Sequence, residues 1–253
     1  MSTHDGPWAM PVHAPFYPEL PATYRDVRMA QLRFQADPTA VMRFLPAGLE
    51  PHPDGACVAL GVEVPFCTAY GPFGEAALWL HARFRGASGW YMPIIWHDGP
   101  AGIAAGREIY GAPKVLARVE TGFEGPTWRT IVHMGGLPVV TIAMTLDAPV
   151  DPAEVPVHAP DWRLKVIPRA DGPGAAVHQL IDASGAGTDG VVAAAFRGRG
   201  SLTFAASPLC DLTSLGPSHA GPAYWVESSF REGYASITHD FLAEAATEGP
   251  QGP

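Results

Sequence analysis

The sequence predicts a predominantly β protein with few helices, and three observations support this prediction. Gly (28 residues) and Pro (27 residues) are abundant and are spread along the chain, which is typical of many short strands joined by turns. Several segments alternate between apolar and polar residues at the period of a strand. Hydrophobic residues make up 47% and charged residues 16% of the chain, which indicates a globular protein with a substantial core.

The elements follow in order from these patterns. Residues 27–35 predict a strand, because Ala30, Leu32 and Phe34 share one side. A short helix is expected from Asp37 to Phe44, since Asp37 is a good N-cap and Pro38 suits the first helical position. Later alternating or apolar runs predict strands at 56–64, 77–84, 90–96, 102–109, 116–123, 127–134, 139–146, 162–167, 176–181, 190–197, 201–204 and 224–231. A second helix is expected at residues 237–246.

The chain is expected to form a single domain. A length of 253 residues fits one large domain or two small ones. The proline-rich segment 148–160 is a candidate boundary, but neither side has the composition of an independent module. We therefore expect one domain over residues 23–246 with a long crossover, an extended N-terminal segment over 1–22 and a disordered tail over 247–253.

Charge and hydropathy exclude several classes of protein. The net charge of -9 and the lack of a basic cluster argue against nucleic-acid binding. No apolar run approaches the roughly 18 residues that a membrane helix needs, and the N-terminus lacks the features of a secretory signal. Cys57, Cys67 and Cys210 form no Cys-x-x-Cys pair, so we interpret them as reduced thiols of a cytoplasmic protein.

Three common motifs are absent or incomplete. Residues 185–190 match Gly-x-Gly-x-x-Gly, but a strand-like run follows instead of a helix, which favours a strand connection over a nucleotide site. The ten histidines show no metal-ligand spacing, so no metal is expected, although distant residues could still assemble a site. Residues 86–90 resemble a hydrolase elbow but end in Trp90.

Lys114 is the first candidate for chemistry, because it and Lys165 are the only lysines among sixteen basic residues. Lysine, unlike arginine, can lose its proton in a protein and attack a carbonyl. The plain alternative is a solvated surface lysine. Gly111 and Pro113 predict a turn that would aim Lys114 at a cavity. Arg107 and Glu108 are expected to support the site as paired charges near a buried strand end.

Two segments resemble the acetoacetate decarboxylase family. Gly106-Arg107-Glu108, followed by Pro113-Lys114, resembles the active-site segment whose lysine forms a Schiff base with the substrate ketone. Residues 164–168, Leu-Lys-Val-Ile-Pro, followed by Asp-Gly, resemble a later segment of the family. The resemblance spans roughly residues 25 to 245. It implies an α+β, predominantly β fold with closed, barrel-like antiparallel sheets around an apolar cavity, a homo-oligomer, and catalysis without a cofactor.

The resemblance also implies a mechanism. The Lys114 amine adds to the ketone of a β-keto acid, the resulting imine withdraws electrons as carbon dioxide leaves, and the enamine is protonated. Glu75 aligns with a family active-site glutamate and is the expected proton carrier; the alternative is an exposed loop glutamate. A free lysine is only about 0.04% neutral at pH 7, so its amine needs activation. Val115 replaces a second family lysine, which leaves burial to activate Lys114.

Other positions depart from the family pattern. The family arginine that meets the substrate aligns with Val27, so the nearby Arg25 and Arg28 become the candidates for binding the substrate. A second family glutamate aligns with Leu60, and the nearest acid, Glu63, has the wrong strand parity to share its face. These departures leave the Schiff base intact but make the substrate an open question.

Three functions therefore stay open at this point. The leading hypothesis is a lyase that decarboxylates a β-keto acid through Lys114. Related members of the superfamily resemble aldolase-dehydratases, which join pyruvate to an aldehyde with the same lysine; there, Tyr110 would line the site as a proton donor or a hydrogen-bond partner, or else only pack. The third hypothesis is a non-catalytic protein that binds a small apolar ligand in the same cavity.

Overall fold

The computed structural model describes residues 8–216 and 219–248, and most of these residues lie in β-strands. The strands are β1 Ala22–Gln35, β2 Leu49–Pro51, β3 Ala56–Val64, β4 Phe66–Cys67, β5 Phe73–Phe84, β6 Ala87–Tyr91, β7 Ile95–His97, β8 Lys114–Leu116, β9 Arg118–Glu124, β10 Thr127–Met134, β11 Leu137–Pro149, β12 Asp161–Pro168, β13 Ala175–Asp182, β14 Gly187–Phe204, β15 His219–Glu232 and β16 Ser236–Asp240. The helices are α1 Pro38–Met42, α2 Pro100–Tyr110 and α3 Phe241–Glu248, with short 3-10 turns at Pro152–Glu154 and Thr213–Leu215.

The strands join into one sheet, which confirms the predominantly β fold. Its main path runs β16-β13-β12-β6-β5-β3-β1-β15-β14-β11-β10-β9, and β7 pairs with both β5 and β8. The pairings β6–β12 and β7–β8 are parallel. Within the described residues the path ends at β16 and β9, so hydrogen bonds do not close the sheet into the barrel that the resemblance implied.

The sheet curves so that each face covers a hydrophobic core. Strand β9 packs back against β3, β5 and β7, which encloses a large core that contains Trp96, Trp128 and Leu78. The opposite face covers a second core around Leu60, Ala77 and other buried residues. Because side chains alternate along a strand, odd-numbered residues of β5 lie on the second face.

Most predicted elements are confirmed in type and place. The strands predicted at 56–64 and 127–134 coincide with β3 and β10. Helix α1 begins at Pro38, and the side chain of Asp37 accepts a hydrogen bond from the backbone N–H of Thr39 at 2.8 Å. The predicted N-cap is therefore correct.

The strand predicted at residues 102–109 is wrong, because this segment forms helix α2. Pro100 occupies the first turn, and Gly111 ends the helix in the left-handed conformation at φ 65°. A short apolar run is compatible with either a buried strand or a buried helix. Here the proline at the start and the glycine at the end decide for a helix.

Three other predictions need smaller corrections. The strand predicted at 90–96 is divided between β6 and β7, and the two strands predicted between 190 and 204 are one strand, β14. Residues 237–240, predicted as helix, belong to β16, and α3 begins only at Phe241. In all three cases the pairing with a neighbouring strand decides where the strand begins and ends. Alternation and local turn residues in the sequence predict these boundaries less well.

The chain ends lie against the domain where they are described. In the predicted extended segment, residues 8–21 form bends and turns, and Tyr17 and Leu20 are buried. Residues 1–7 and 249–253 lie outside the described residues, so the predicted tail is described only at its first two residues, which end α3. No helix in the described ranges is long and apolar enough to cross a membrane.

Candidate active site

The sheet register brings the main candidate residues to one face. Glu75 pairs with His97 in β7, and Ile95, two residues earlier, pairs with Lys114 in β8. Residues directly opposite each other on paired strands share a face. Lys114, Glu75 and His97 therefore lie on the same side of the sheet, next to the core that contains Leu60 and Ala77.

Lys114 and Glu75 form a largely buried ion pair. The ammonium Nζ of Lys114 lies 2.9 Å from Oε2 of Glu75, and the two side chains are 14% and 17% exposed. Lys114 Nζ also lies 5.7 Å from the ring centre of Phe73. Lys114 is thus not a solvated surface lysine, and Glu75 belongs to a strand instead of an exposed loop.

Helix α2 positions the lysine. A Cβ atom at Gly106 would lie 2.8 Å from Cδ and 2.9 Å from Cε of Lys114, so the glycine makes room for the aliphatic part of the lysine. After the helix ends at Gly111, Ala112 and Pro113 lead directly into β8. The turn predicted before Lys114 is present, but it follows a helix and not a strand.

The remaining charged residues of the motif support the backbone around this turn. Arg107 Nη1 donates to the carbonyl oxygen of Lys114 at 3.2 Å, and the carbonyl of Pro113 accepts from Ile95 N–H at 3.1 Å. Glu108 accepts a short hydrogen bond from the hydroxyl of Tyr17. The expectation of paired charges near a buried strand end is wrong here, because Arg107 and Glu108 are exposed on helix α2 and have separate partners.

His97 is a neighbour of the ion pair that the sequence analysis did not identify. Its ring is fully buried, and its Nε2 lies 4.0 Å from Glu75 Oε2. Nδ1 accepts from the N–H of Gly99 at 2.8 Å, so the neutral ring carries its proton on Nε2. Burial, with a contribution from the charge of Lys114, lowers the pKa of His97 to about 4. His97 is therefore neutral near pH 7, and its buried Nε2 has no hydrogen-bond partner among the described residues.

Glu75 is held in its ionised form. Burial acts to raise the pKa of this carboxyl, but Lys114, His97 and Arg163 outweigh burial and lower the pKa below its usual value. A carboxylate beside the amine can accept a proton and later return it. The pair can thus serve as the nucleophile and proton carrier of an acid–base reaction.

Arg163 is the second residue that the sequence analysis missed. It lies in β12 and is bound to Asp161, with Nη2 at 2.7 Å from Oδ2. Asp161 pairs with Trp90, which pairs with His81 of β5, so Asp161 and Arg163 share the face of Glu75. Asp161 also accepts from Nε1 of Trp79 at 3.0 Å. The signal in the sequence was the spacing of Asp161, Arg163 and Lys165, three charges at strand period.

The structure does not bring Arg25 or Arg28 to this site. Arg28 pairs with Glu63 at 3.1 Å and with Glu227 at 2.9 Å. Arg28 pairs with Glu63, which pairs with Gly74. Gly74 is the residue next to Glu75 in β5, and neighbouring residues of a strand face opposite sides. Arg28 therefore lies on the face opposite Glu75. Arg25 is exposed and lies over the ring of Phe66 at 5.1 Å.

Tyr110 packs at the end of α2 and has a partner for its hydroxyl. Its side chain is buried, and its O–H donates to the carbonyl of Gly233 at 2.6 Å. In this arrangement the hydroxyl oxygen can only accept a further hydrogen bond. Val27 and Leu60, at the altered family positions, are buried apolar residues.

A cavity of about 380 Å³ opens on the same face of the sheet. Its lining includes Met29, Trp79, Val226 and Asp161. Met29 pairs with Val62, which pairs with Glu75. Lys114, Glu75 and Arg163 are not among the lining residues. The cavity shares their face of the sheet and is lined by Trp79 and Asp161, and Asp161 is the partner of Arg163.

A separate cluster of potential metal ligands lies further along β5. Donor atoms of His52, Asp54 and His81 lie within 4.8 Å of one another. Both histidine Nδ1 atoms bond the Asp54 carboxylate, at 2.9 Å and 2.8 Å. Each group is satisfied by this hydrogen bonding, and the expectation that no metal is bound stays a prediction.

Together, the curved β-sheet and the buried lysine–glutamate pair define a class of β-rich protein with a buried lysine–carboxylate ion pair on one sheet face. The family profile "Acetoacetate decarboxylase (ADC)" matches residues 9–242. The chain therefore belongs to the acetoacetate decarboxylase family, as the two sequence segments indicated.

Individual relatives agree with this assignment. The acetoacetate decarboxylase of Acidiphilium cryptum is 27% identical over 241 residues, which cover 93% of this chain and 96% of the relative. Among solved structures, the acetoacetate decarboxylase of Legionella pneumophila matches with a TM-score of 0.82, 24% identity and coverage of 96% and 99%. The enduracididine biosynthesis enzyme MppR, complexed with the condensation product of pyruvate and imidazole 4-carboxaldehyde, matches with a TM-score of 0.79, 21% identity and coverage of 95% and 100%.

Proposed function

We propose that this protein is a cofactor-independent lyase that forms a Schiff base between Lys114 and a keto acid, and that it decarboxylates a β-keto acid. The observation that best supports the proposal is the buried pair of Lys114 and Glu75 at 2.9 Å. Lys114 lies in the segment that resembles the family's lysine motif, and Gly106 leaves space for its side chain.

The reaction begins with proton transfer from Lys114 to Glu75, because only the neutral amine can attack a carbonyl. The nitrogen then bonds to the ketone carbon. The former carbonyl oxygen accepts one proton from this nitrogen and one from Glu75 and leaves as water, which returns Glu75 to its carboxylate form. The product is a protonated imine at Lys114. Its positive nitrogen stabilises the electron pair that stays behind when carbon dioxide leaves in the next step.

Decarboxylation breaks the bond between the α-carbon and the carboxylate. The electron pair of that bond moves toward the imine nitrogen, which gives an enamine and carbon dioxide. Glu75 takes a proton from water and transfers it to the α-carbon, and a second water molecule hydrolyses the resulting imine to release a ketone and Lys114. Lys114, at 2.9 Å from Glu75, is the group that stabilises the ionised carboxyl in the resting pair.

Activation of the amine differs from the family pattern. Val115, at the position of the second family lysine, pairs with Trp96 and packs against the large core. No cation next in sequence repels the proton of Lys114. The proposal therefore assigns activation to the buried setting and to direct proton transfer to Glu75.

The second candidate is an aldolase-dehydratase that condenses pyruvate with an aldehyde at the same lysine. The buried apolar residues Val27 and Leu60, at positions where the decarboxylase pattern has charged groups, favour this candidate. The ligand described for MppR, a condensation product of pyruvate, is the corresponding chemistry in a protein of similar fold. Both candidates share the imine and differ in the bond that is broken or made next.

The two candidates can be separated by their products. We expect carbon dioxide release from one or more short β-keto acids, and a conjugated product from pyruvate and an aldehyde only if the second candidate is correct. Lys114→Arg keeps the positive charge beside Glu75 but cannot form an imine, so it is expected to lose activity. Lys165→Arg is the matched control and is expected to remain active. If neither product forms and the protein still binds small apolar ligands, the result favours the non-catalytic alternative.

Two further expectations accompany the proposal. Homo-oligomerisation is expected from family resemblance and is tested by light scattering of the purified chain. A cytoplasmic location is expected from the three unpaired cysteines and is tested by cell fractionation.

A further inference from the structure

An anion-binding group is needed near Lys114 if the substrate is a keto acid, and the residues expected to supply it lie elsewhere. Arg28 is bound to two glutamates on the opposite face, and Arg25 is exposed over Phe66. Val27, at the family arginine position, is buried and apolar. The cation must therefore come from another strand.

Arg163 lies on the same face of the sheet as Glu75 and Lys114, and its guanidinium is charged. Strand pairing through Trp90 and His81 places it on the face that contains Glu75 and Lys114. Burial acts to lower the pKa of Arg163, but Asp161, Glu232 and Glu75 outweigh burial and raise it. The guanidinium is thus charged and lies within electrostatic range of the proposed proton carrier.

The guanidinium also has unused capacity. Asp161 engages Nη2, whereas the buried Nε–H has no hydrogen-bond partner among the residues that the structure describes. A buried donor without an acceptor is costly. A ligand carboxylate would satisfy this donor, and arginine matches carboxylate geometry better than lysine does.

The surroundings hold Arg163 in place and link it to a cavity. Asp161 is fixed by Trp79, whose indole N–H donates to it at 3.0 Å. Asp161 and Trp79 both line the cavity of about 380 Å³. A ligand in this cavity therefore contacts Asp161, the residue that holds Arg163 on the face shared with Lys114.

We propose that Arg163 binds the carboxylate of the keto acid whose carbonyl reacts with Lys114. Arg163 thus takes over, from β12, the role that the family assigns to a residue of the first strand. The site would then select anionic keto acids over uncharged ketones. This inference rests on the proposed function, because it assumes that Lys114 forms the imine.

The test compares charged and uncharged substrates of nearly equal size. Borohydride trapping at Lys114 is measured as a function of concentration for acetoacetate and pyruvate and for their methyl esters. The variants are Arg163→Lys, which keeps a cation beside Asp161, and the double variant Arg163→Met with Asp161→Asn, which removes both buried charges. Asp161→Asn alone is the control, and thermal unfolding checks that each variant folds.

In the double variant, the half-saturating concentration of the acid that the wild type traps is expected to rise by roughly tenfold to a hundredfold. That of the corresponding ester is expected to change less than about threefold. Arg163→Lys is expected to fall between wild type and double variant, and it provides the answer if the double variant does not fold. Equal changes for acid and ester, or no change for either, would overturn the role of Arg163. If the wild type traps none of the four compounds, the proposed function itself fails.

Discussion

At the scale of single residues, Gly106 explains why the lysine segment contains a glycine before Arg107 and Glu108. A Cβ at this position would overlap the Lys114 side chain at 2.8 Å from Cδ and 2.9 Å from Cε. The lysine therefore passes over α2 at a position that lacks a side chain. The position of Lys114, the proposed nucleophile, depends on this missing methyl group.

Replacing Gly106 by alanine tests this dependence. Alanine favours a helix by about 1 kcal/mol relative to glycine, so stability should change little. The displaced lysine should lower kcat/KM by about a hundredfold, since small misplacements of reacting groups are costly. Gly185→Ala is the control, because a Cβ there meets nothing within 4 Å. Full activity of the Gly106→Ala protein would show that the lysine tolerates another path.

The sequence allowed some site residues to be predicted and not others. Lys114 and Glu75 were accessible because each lies in a segment that can be compared with a family pattern. His97 and Arg163 join the site from separate strands, and only the sheet register places them on the same face. The period-two charges Asp161 and Arg163 were a detectable sign of a polar strand face, but a strand pattern does not say which neighbour that face meets.

At the scale of elements, helix α2 connects the two lysine segments of the family. Gly111 ends the helix at φ 65°, and a Cβ there would lie 2.5 Å from Cβ and 2.7 Å from N of Lys165. Lys165 in turn donates from Nζ to the carbonyl of Ile109 at 3.1 Å. The end of α2 and strand β12 are thus in direct backbone contact, and β12 is also the strand that contains Arg163.

Two glycine substitutions separate backbone strain from this contact. Gly111→Ala introduces both a left-handed alanine and a clash with β12, so it should lower the free energy of unfolding by about 3 kcal/mol or more. Gly125 has φ 59° and nothing within 4 Å of an added Cβ, so Gly125→Ala should lower it by only about 1 kcal/mol. Urea unfolding measures both, and equal losses would argue against the close contact with β12.

The error at α2 shows the limit of local patterns. Its residues are small and apolar, which fits a buried strand as well as a buried helix. The decisive features were Pro100 at the start and Gly111 at the end, because proline suits the first helical turn and glycine suits the left-handed cap. By contrast, β3 and β10 were predictable because each is a run of ordinary strand length with turn residues before and after it.

At the scale of the whole molecule, buried neutral histidines link stability to pH. Burial lowers the pKa of His97 to about 4, aided by Lys114. Burial likewise lowers the pKa of His158 to about 4, aided by Arg33 and His81. The unfolded chain takes up these protons near pH 6.5, whereas the folded chain does so only near pH 4. The free energy of unfolding should therefore fall as the pH falls from about 6.5 to 4, by up to about 3 kcal/mol for each histidine.

His158→Phe isolates one of these contributions. The ring of His158 stacks on Trp79 at 4.7 Å, and phenylalanine preserves a flat ring without a titrating nitrogen. The difference in unfolding free energy between pH 7 and pH 4.5 should be smaller for this variant than for the wild type. Carboxylates contribute equally to both proteins and cancel in the comparison. Parallel pH profiles would contradict the buried neutral form of His158.

The fold as a whole was predictable in class but not in closure. Glycine, proline and alternation indicate many strands, and the family resemblance implies closed, barrel-like sheets. The path from β16 to β9 and the packing of β9 against β3 and β5 depend on contacts between residues far apart in sequence. The pairings that link β5 to β7 and β8, and to β6 and β12, place Lys114, Glu75 and Arg163 on one face of this sheet.

The central claim is that Lys114 forms an imine with a keto acid, and borohydride trapping with peptide mass mapping tests it most directly. The protein is incubated with short β-keto acids and with pyruvate, reduced and digested. We predict a mass increase on the peptide that contains Lys114, none on the peptide that contains Lys165, and no adduct in the Lys114→Arg variant. An unmodified Lys114 with every keto acid, or full activity of the Lys114→Arg variant, would contradict the claim.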